Sequence, residues 1–158
     1  MKKNKISVVI RTRNEERWIG HAIQSVIDYL DKPEIIIVDN KSTDKTIEIV
    51  KYFMQAPDLE TSAKSGYTRI KIKQIEDYSP GKALNLGIKH ASNKYVLIIS
   101  AHCILNKINV KNHIIQLKKY ACVFGNQIPV WNGKKITKRY LWSNFINRRT
   151  ENMYSKLE

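Results

Sequence analysis

From Tyr78 to Thr150 the chain contains no aspartate or glutamate, while the same stretch holds ten lysines and three arginines. Nothing there can serve as a carboxylate base or as a carboxylate ligand to a metal. Cysteine is scarce as well. Cys103 and Cys122 do not make a disulfide framework, so a reducing, cytoplasmic setting is the expectation. A zinc site built from His102, Cys103, His113 and Cys122 is set aside, because the spacings match no zinc-ligand pattern. Glycine and proline number only 6 and 4, and no segment is repetitive or of low complexity. No apolar run approaches the roughly 18 residues of a membrane-spanning helix. The basic start "MKKNKISVVIRTRN" has too short an apolar run for a signal peptide and reads instead as a first strand.

What is present is an ordinary globular mixture, 42% apolar and 27% charged, in 158 residues. That length predicts one domain over 1–158 with a real core. The net charge of +14 is unevenly spread, since twelve of the 14 acids lie between Glu15 and Asp77. Such a basic excess attracts phosphate, whether of a nucleotide, a nucleic acid or an anionic membrane. Nucleic acid ranks last among these, because no recognisable nucleic-acid motif accompanies the charge.

Hydrophobic periodicity gives alternating strands and helices. "ISVVIR" (Ile6–Arg11) is β-branched and predicts a strand. Asn14 is placed as the cap of a helix carrying Ile19, Ala22, Ile23, Val26, Ile27 and Leu30 at helical spacing, with Glu15 and Glu16 in its first turn. "EIIIVD" (Glu34–Asp39) is apolar on both faces, as in a covered parallel sheet. A second helix follows, capped by Ser42 or Thr43, with Ile47, Val50 and Met54 inward. Residues 55–68 lose periodicity and read as a loop. Arg69–Ile75 alternates as a half-exposed strand. Tyr78–Gly81 is a turn leading into the helix "KALNLGIKHA", in which Gly87 is a weakness. "YVLIIS" (Tyr95–Ser100) is expected as a buried strand, 107–120 as a helix, "ACVFGNQIPV" (Ala121–Val130) as a strand, and Leu141–Leu157 as a basic, aromatic helix. The order predicts a doubly wound α/β domain.

In such a sheet, ligands bind outside the carboxyl ends of the strands. Thr12, Arg13 and Asn14 follow the first strand, where an arginine fork suits phosphate. Asp39 ends the second, where a carboxylate can accept hydrogen bonds from a base or ribose; the alternative is a cap on a solvated turn. Lys82 follows a Pro-Gly turn at a helix start, a place that favours anions, and Asn85 lies one turn on.

Four segments in order, "SVVIRTRNEERWIGHAIQSV", "IIIVDNKSTDKT", "YSPGKALNLGIKHA" and "YVLIISAHCIL", resemble the nucleotide-binding half of family 2 glycosyltransferases. The resemblance covers roughly residues 5 to 130. It implies the GT-A fold, a Rossmann-like, mostly parallel sheet with helices on both faces. It also implies a nucleotide-sugar donor and a glycan or lipid-linked acceptor, as in polysaccharide biosynthesis, with inversion at the anomeric carbon. By this likeness Asp39 and the end of the first strand hold the nucleoside, and Lys82 and Asn85 lie near it. The family's Asp-x-Asp motif, which holds a divalent Mg²⁺ or Mn²⁺ ion on the diphosphate, falls on Ser100, Ala101 and His102.

That substitution leaves three readings of His102: a single metal ligand, a direct hydrogen-bond donor to the diphosphate, or a structural histidine at a strand end. Two hard carboxylates suit these cations; a hydroxyl and one imidazole do not replace them. The family's base carboxylate is missing too, for only Glu151 and Glu158 follow Val130, and no catalytic residue is assigned. Residues 131–158 read as an abbreviated acceptor half. Its lysines and arginines, interleaved with Tyr140, Trp142 and Phe145, suit an anionic membrane surface; the alternative is that Trp142 and Phe145 pack on the sheet or on a second copy of the chain. The expectation is a cytoplasmic transferase, with peripheral contact at the inner face of a membrane as the further option. Its rival is a non-catalytic nucleotide-sugar-binding or partner subunit that has lost the carboxylates.

Overall fold

The computed structural model describes residues 5–55, 69–125, 128–131 and 134–135. The chain divides into two compact units, Met1–Val110 and Lys111–Glu158. The first contains β1 (Ile6–Thr12), α1 (Ile19–Tyr29), β2 (Glu34–Asp39), α2 (Thr46–Gln55), β3 (Arg69–Gln74), α3 (Pro80–Lys89) and β4 (Tyr95–Ser100). The helix α4 (Val110–Gln116) opens the second, whose short β5 (Val130–Trp131) and β6 (Lys134–Lys135) pair antiparallel. The loop expected after Gln55 and the helix expected over Leu141–Leu157 lie outside the described residues. No described helix is long and apolar enough to cross a membrane.

The four long strands are all parallel and lie in the order β3-β2-β1-β4. Continuous apolar runs make β1 and β2 the centre. Val8, Ile10, Ile35 and Ile37 turn to one face, into a cluster with Ile19, Ile23 and Val26 of α1 and Val50 of α2. Val9, Ile36 and Val38 turn to the other, against Ala83, Leu84 and Leu86 of α3. Helices thus cover both faces, as a doubly wound sheet requires. Each fully buried Val or Ile here contributes about 1.5–3 kcal/mol relative to exposure. Gly87 is needed rather than weak. A Cβ there would collide with Val9 Cγ1 and lie 3.2 Å from Val38 Cγ2, so only glycine lets α3 settle on the sheet.

Several boundaries differ from the sequence reading. Asn14 is not a helix cap: residues 15–18 form a tight turn, Trp18 N–H and Ile19 N–H both reach Glu15 O at 2.9 Å, and α1 begins at Ile19 without a side-chain cap. Glu15 and Glu16 therefore precede the helix. The turn before α2 closes on Asp44, whose Oδ1 accepts from Thr46 N–H at 3.0 Å, while Ser42 and Thr43 bond elsewhere. Met54 is half exposed, and Phe53 packs in its place. Ser79 caps α3, with Pro80 at its first turn. Among the described residues β4 is an edge strand, and Ile98 is 47% exposed, because only β1 pairs with it. The strand expected over Ala121–Val130 does not form: 121–125 have no regular structure, and only Val130 and Trp131 join a ladder. A Gly and a Pro interrupt the apolar residues of that run.

The amino ends of the strands are pinned by one buried carboxylate. Glu34 accepts from Ser7 Oγ at 2.5 Å, from Ser92 N–H at 2.7 Å and Ser92 Oγ at 2.8 Å, and pairs with Lys71 Nζ at 2.7 Å. Lys71 also donates to His90 O at 3.2 Å. Burial alone would raise the pKa of Glu34, but the bonds from Lys71, Ser7 and Ser92 outweigh it and lower the pKa from 4.5 to about 2. A carboxyl with a depressed folded pKa gives stability that is full above its unfolded value and lost as protons bind in the fold. The contribution, on the order of 3 kcal/mol from a shift of this size, is therefore expected to disappear as pH falls from about 4.5 to about 2. Urea unfolding of the parent and of Glu34→Gln across that range checks this: the parent should lose stability more steeply, and parallel curves would refute it.

Candidate functional site

The chain winds outward from β1 to β2 to β3, then returns past β1 to place β4. The direction reverses between β1 and β4, and a crevice opens outside their carboxyl ends at such a point. In register, Thr12 stands beside Asp39, Asp39 beside Gln74, and Arg11 beside Ser100. The residues read from sequence as strand-end candidates therefore share one edge of the sheet.

The loops after β1 and β2 are laced together. Asp39 is fully buried and its carboxylate takes the Ser42 hydroxyl at 2.5 Å and the Ser42 N–H at 3.1 Å. Ser42 Oγ in turn accepts from Asn14 N–H at 2.9 Å, and Asn14 Oδ1 accepts from Thr43 N–H at 2.8 Å. Asn14 and Lys41 both hold left-handed backbone, at φ 52° and 53°, which Asn tolerates better than most residues. Glu15 N–H donates to Thr46 Oγ1 at 2.7 Å, and Glu16 N–H to Asp44 Oδ2 at 3.0 Å. Burial pushes the Asp44 carboxyl up, but bonds from the Thr46 hydroxyl and from the Glu16 and Thr46 amides hold it below the usual carboxylate range.

Thr12 lies inside this edge. It is 5% exposed, and its Oγ1 is buried without a hydrogen-bond partner among the described residues. A buried hydroxyl left unpaired costs about 1–3 kcal/mol. Arg11 Nη1 donates to the Tyr78 hydroxyl at 3.2 Å, and Lys41 pairs with Glu76 at 2.5 Å, so the segment before α3 is tied to the same edge. Arg13 is exposed. Lys82 stands in the first turn of α3, where its ammonium pairs with Asp77, and Asn85 is exposed one turn on.

At the end of β4, Ser100 O accepts from Cys103 N–H at 2.9 Å, closing a turn in which Ala101 is buried and His102 exposed. His102 Nδ1 meets Glu15 Oε1 at 2.9 Å across 87 residues of sequence. The sequence reading missed Glu15 as a site residue, and also the Asp77 and Tyr78 contacts. One signal pointed to Glu15. With no acid from Tyr78 to Thr150, a carboxylate beside the β4 turn comes from the acidic first half or from Glu151 or Glu158.

The structure thus joins Asn14 and Asp39 through Ser42, sets Thr12 beside Asp39 in register, and joins His102 to the β1 loop. It also gives Asp39 a turn-holding role. Asp39→Ala leaves the hydroxyl and N–H of Ser42 without their acceptor and should cost about 1–3 kcal/mol. Chemical denaturation measures this, and a loss below about 0.5 kcal/mol, the size of an ordinary surface change, would contradict the lacing.

A family model described as Glycosyl transferase family 2 matches residues 7–157. The chain is 35% identical over 114 residues to the dolichyl N-acetyl-alpha-D-glucosaminyl phosphate 3-beta-D-2,3-diacetamido-2,3-dideoxy-beta-D-glucuronosyltransferase of Methanococcus voltae, which covers 70% of this chain and 33% of that one. Among solved structures, Staphylococcus aureus TarS 1–349 in complex with UDP is similar with a TM-score of 0.56 at 26% identity, covering 74% of this chain and 33% of that one. The mannosyltransferase PcManGT from Pyrobaculum calidifontis, in complex with GDP-Man and Mn²⁺, gives a TM-score of 0.51 at 25% identity, covering 63% of this chain and 28% of that one. The chain spans about a third of the length of each.

Proposed function

This chain belongs to glycosyl transferase family 2, and from that premise we propose that it binds a nucleotide-diphospho-sugar and transfers the sugar to a glycan or lipid-linked acceptor. The observation that carries the reading is the unpartnered Thr12 hydroxyl, buried at the edge where the sheet order reverses. A polar group desolvated without a partner implies one that arrives later. The UDP complex of a similar structure supplies a ligand of the right class.

In this reading the nucleoside lies over the β1 and β2 ends. Thr12 and Asn14 contact it, and Asp39, by shaping the Ser42 turn, holds the surface it meets. Arg13 and Lys82 face the phosphates, Asn85 lies beside them, and Ser100 and His102 close the far side. An acceptor hydroxyl attacks the anomeric carbon and gives up its proton to solvent, and the bond to the diphosphate breaks with its electron pair going to the diphosphate. Charge grows on that leaving group, which is where cationic side chains help. A lipid-linked acceptor would bring the protein to an anionic membrane surface, which the net charge of +14 favours.

GT-A enzymes often use a divalent metal, and the PcManGT complex contains Mn²⁺. The residues at the corresponding place here do not fit such an ion. Ser100 offers a neutral hydroxyl, Ala101 offers no ligand, and the Nδ1 of His102 is already bonded to Glu15. No group of three or more His, Cys, Asp or Glu among the described residues is arranged to hold a metal. A hard cation needs several oxygen ligands, so no step is assigned to one.

Thr12→Val tests the reading, because it removes the hydroxyl and keeps the shape. Unliganded, the variant should be as stable as the parent or more so by up to about 1 kcal/mol. In a thermal-shift panel of nucleoside diphosphates, ligand binding to the folded state raises the parent's melting temperature. The variant should need about tenfold more ligand for the same rise, the loss of one hydrogen bond. A destabilised variant with unchanged nucleotide response would show the hydroxyl to be structural.

A further inference from the structure

Resting on that donor-binding reading, we infer that Glu15 is a positioning residue for His102, and that the ring it orients, rather than a divalent ion, supplies the positive charge facing the donor's diphosphate. Glu15 is itself rigidly held. Its N–H donates to Thr46 Oγ1 at 2.7 Å, and its carbonyl accepts from Trp18 and Ile19, each at 2.9 Å. Its side chain is 23% exposed and that of His102 is 60% exposed. The carboxylate is thus the inner wall and the ring the outer element.

The hydrogen-bond inventory fixes the rest. A carboxylate only accepts, so the Nδ1 that meets Glu15 at 2.9 Å carries a proton. This turns Nε2 away from Glu15, on a side chain that is 60% exposed. Diphosphate oxygens also only accept. The ring that bonds both is therefore the imidazolium, with donors at both nitrogens and one positive charge between two anions. Glu15 orients the ring through its bond to Nδ1–H. The strand ends from which the two side chains project, β1 and β4, flank the point where the sheet order reverses. The absence of acids from Tyr78 to Thr150 fits this arrangement, since a second carboxylate beside the ring would repel the diphosphate.

Isothermal calorimetry on the whole chain, with UDP and GDP as probes, in Mn²⁺ and in EDTA, tests the inference. Nucleoside diphosphate should bind in EDTA within about threefold of its affinity in Mn²⁺. His102→Ala should weaken UDP by roughly tenfold or more, the scale of a hydrogen bond to a charged group, and leave uridine unchanged. Glu15→Ala should weaken UDP as well, and Glu15→Gln, which keeps an acceptor oxygen for Nδ1–H, should recover most of the loss. Imidazole ¹⁵N spectra give a readout that a merely structural role would not move: UDP in EDTA should shift the Nε2 resonance of His102. Binding that requires Mn²⁺ or Mg²⁺ would overturn the inference and leave the donor-binding reading standing, as would a His102→Ala variant that binds UDP like the parent. Failure of the folded parent to bind any nucleoside diphosphate in either buffer would overturn the donor-binding reading itself, and the inference with it.

Discussion

The hydroxyl of Ser42 holds the working edge of this protein together. It donates to the buried Asp39 and accepts from the Asn14 amide, and so joins the loops after the two central strands. Asn14 replies through its side chain to Thr43, while the Glu15 and Glu16 amides reach Thr46 and Asp44. Each bond is worth about 1 kcal/mol net. Their combined effect is geometric: the loop that carries Glu15 and the turn that follows Asp39 form one surface. The placement of Glu15 against His102, and the seat of Thr12 beneath, follow from it.

The opposite end of the sheet has a different character. There Glu34 gathers Ser7, Lys71 and Ser92, and Asn93 donates to Ser7 Oγ at 3.1 Å, so the amino ends of the strands are closed and satisfied. A buried carboxylate with that many partners serves register and rigidity. The contrast between the ends supports the proposed donor site. At the Glu34 end the bonded groups answer one another, whereas at the carboxyl end the Thr12 hydroxyl and the outer nitrogen of His102 are without partners among the described residues.

Much of the fold was legible in the sequence, because β1 and β2 are built on the apolar runs Val8–Ile10 and Ile35–Val38. The parallel sheet with helices on both faces followed from that. What escaped depends on long-range packing. Gly87 reads as a helix weakness until Val9 is seen beneath it. The sequence "YVLIIS" reads as a buried strand, yet among the described residues it has a neighbour on one side only. Asn14 has the chemistry of a helix cap, but its partners lie on the next loop, 28 and 29 residues away. At the site, strand-end positions marked Thr12, Asp39 and Ser100, and motif order marked His102. Glu15 was hidden by its 87-residue separation from the ring it holds.

The central claim is that a nucleotide donor sits on the carboxyl edge of the sheet, across β1, β2 and β4. Backbone amide chemical shifts, followed by NMR during a UDP titration in EDTA, locate the ligand without any substitution. The account predicts shifts concentrated at residues 12–15, 39–44 and 101–103, with Lys71, Ser92 and Asn93 at the far end unmoved. Shifts centred on the Glu34 end, or a titration that leaves Thr12 and His102 unchanged, would contradict it.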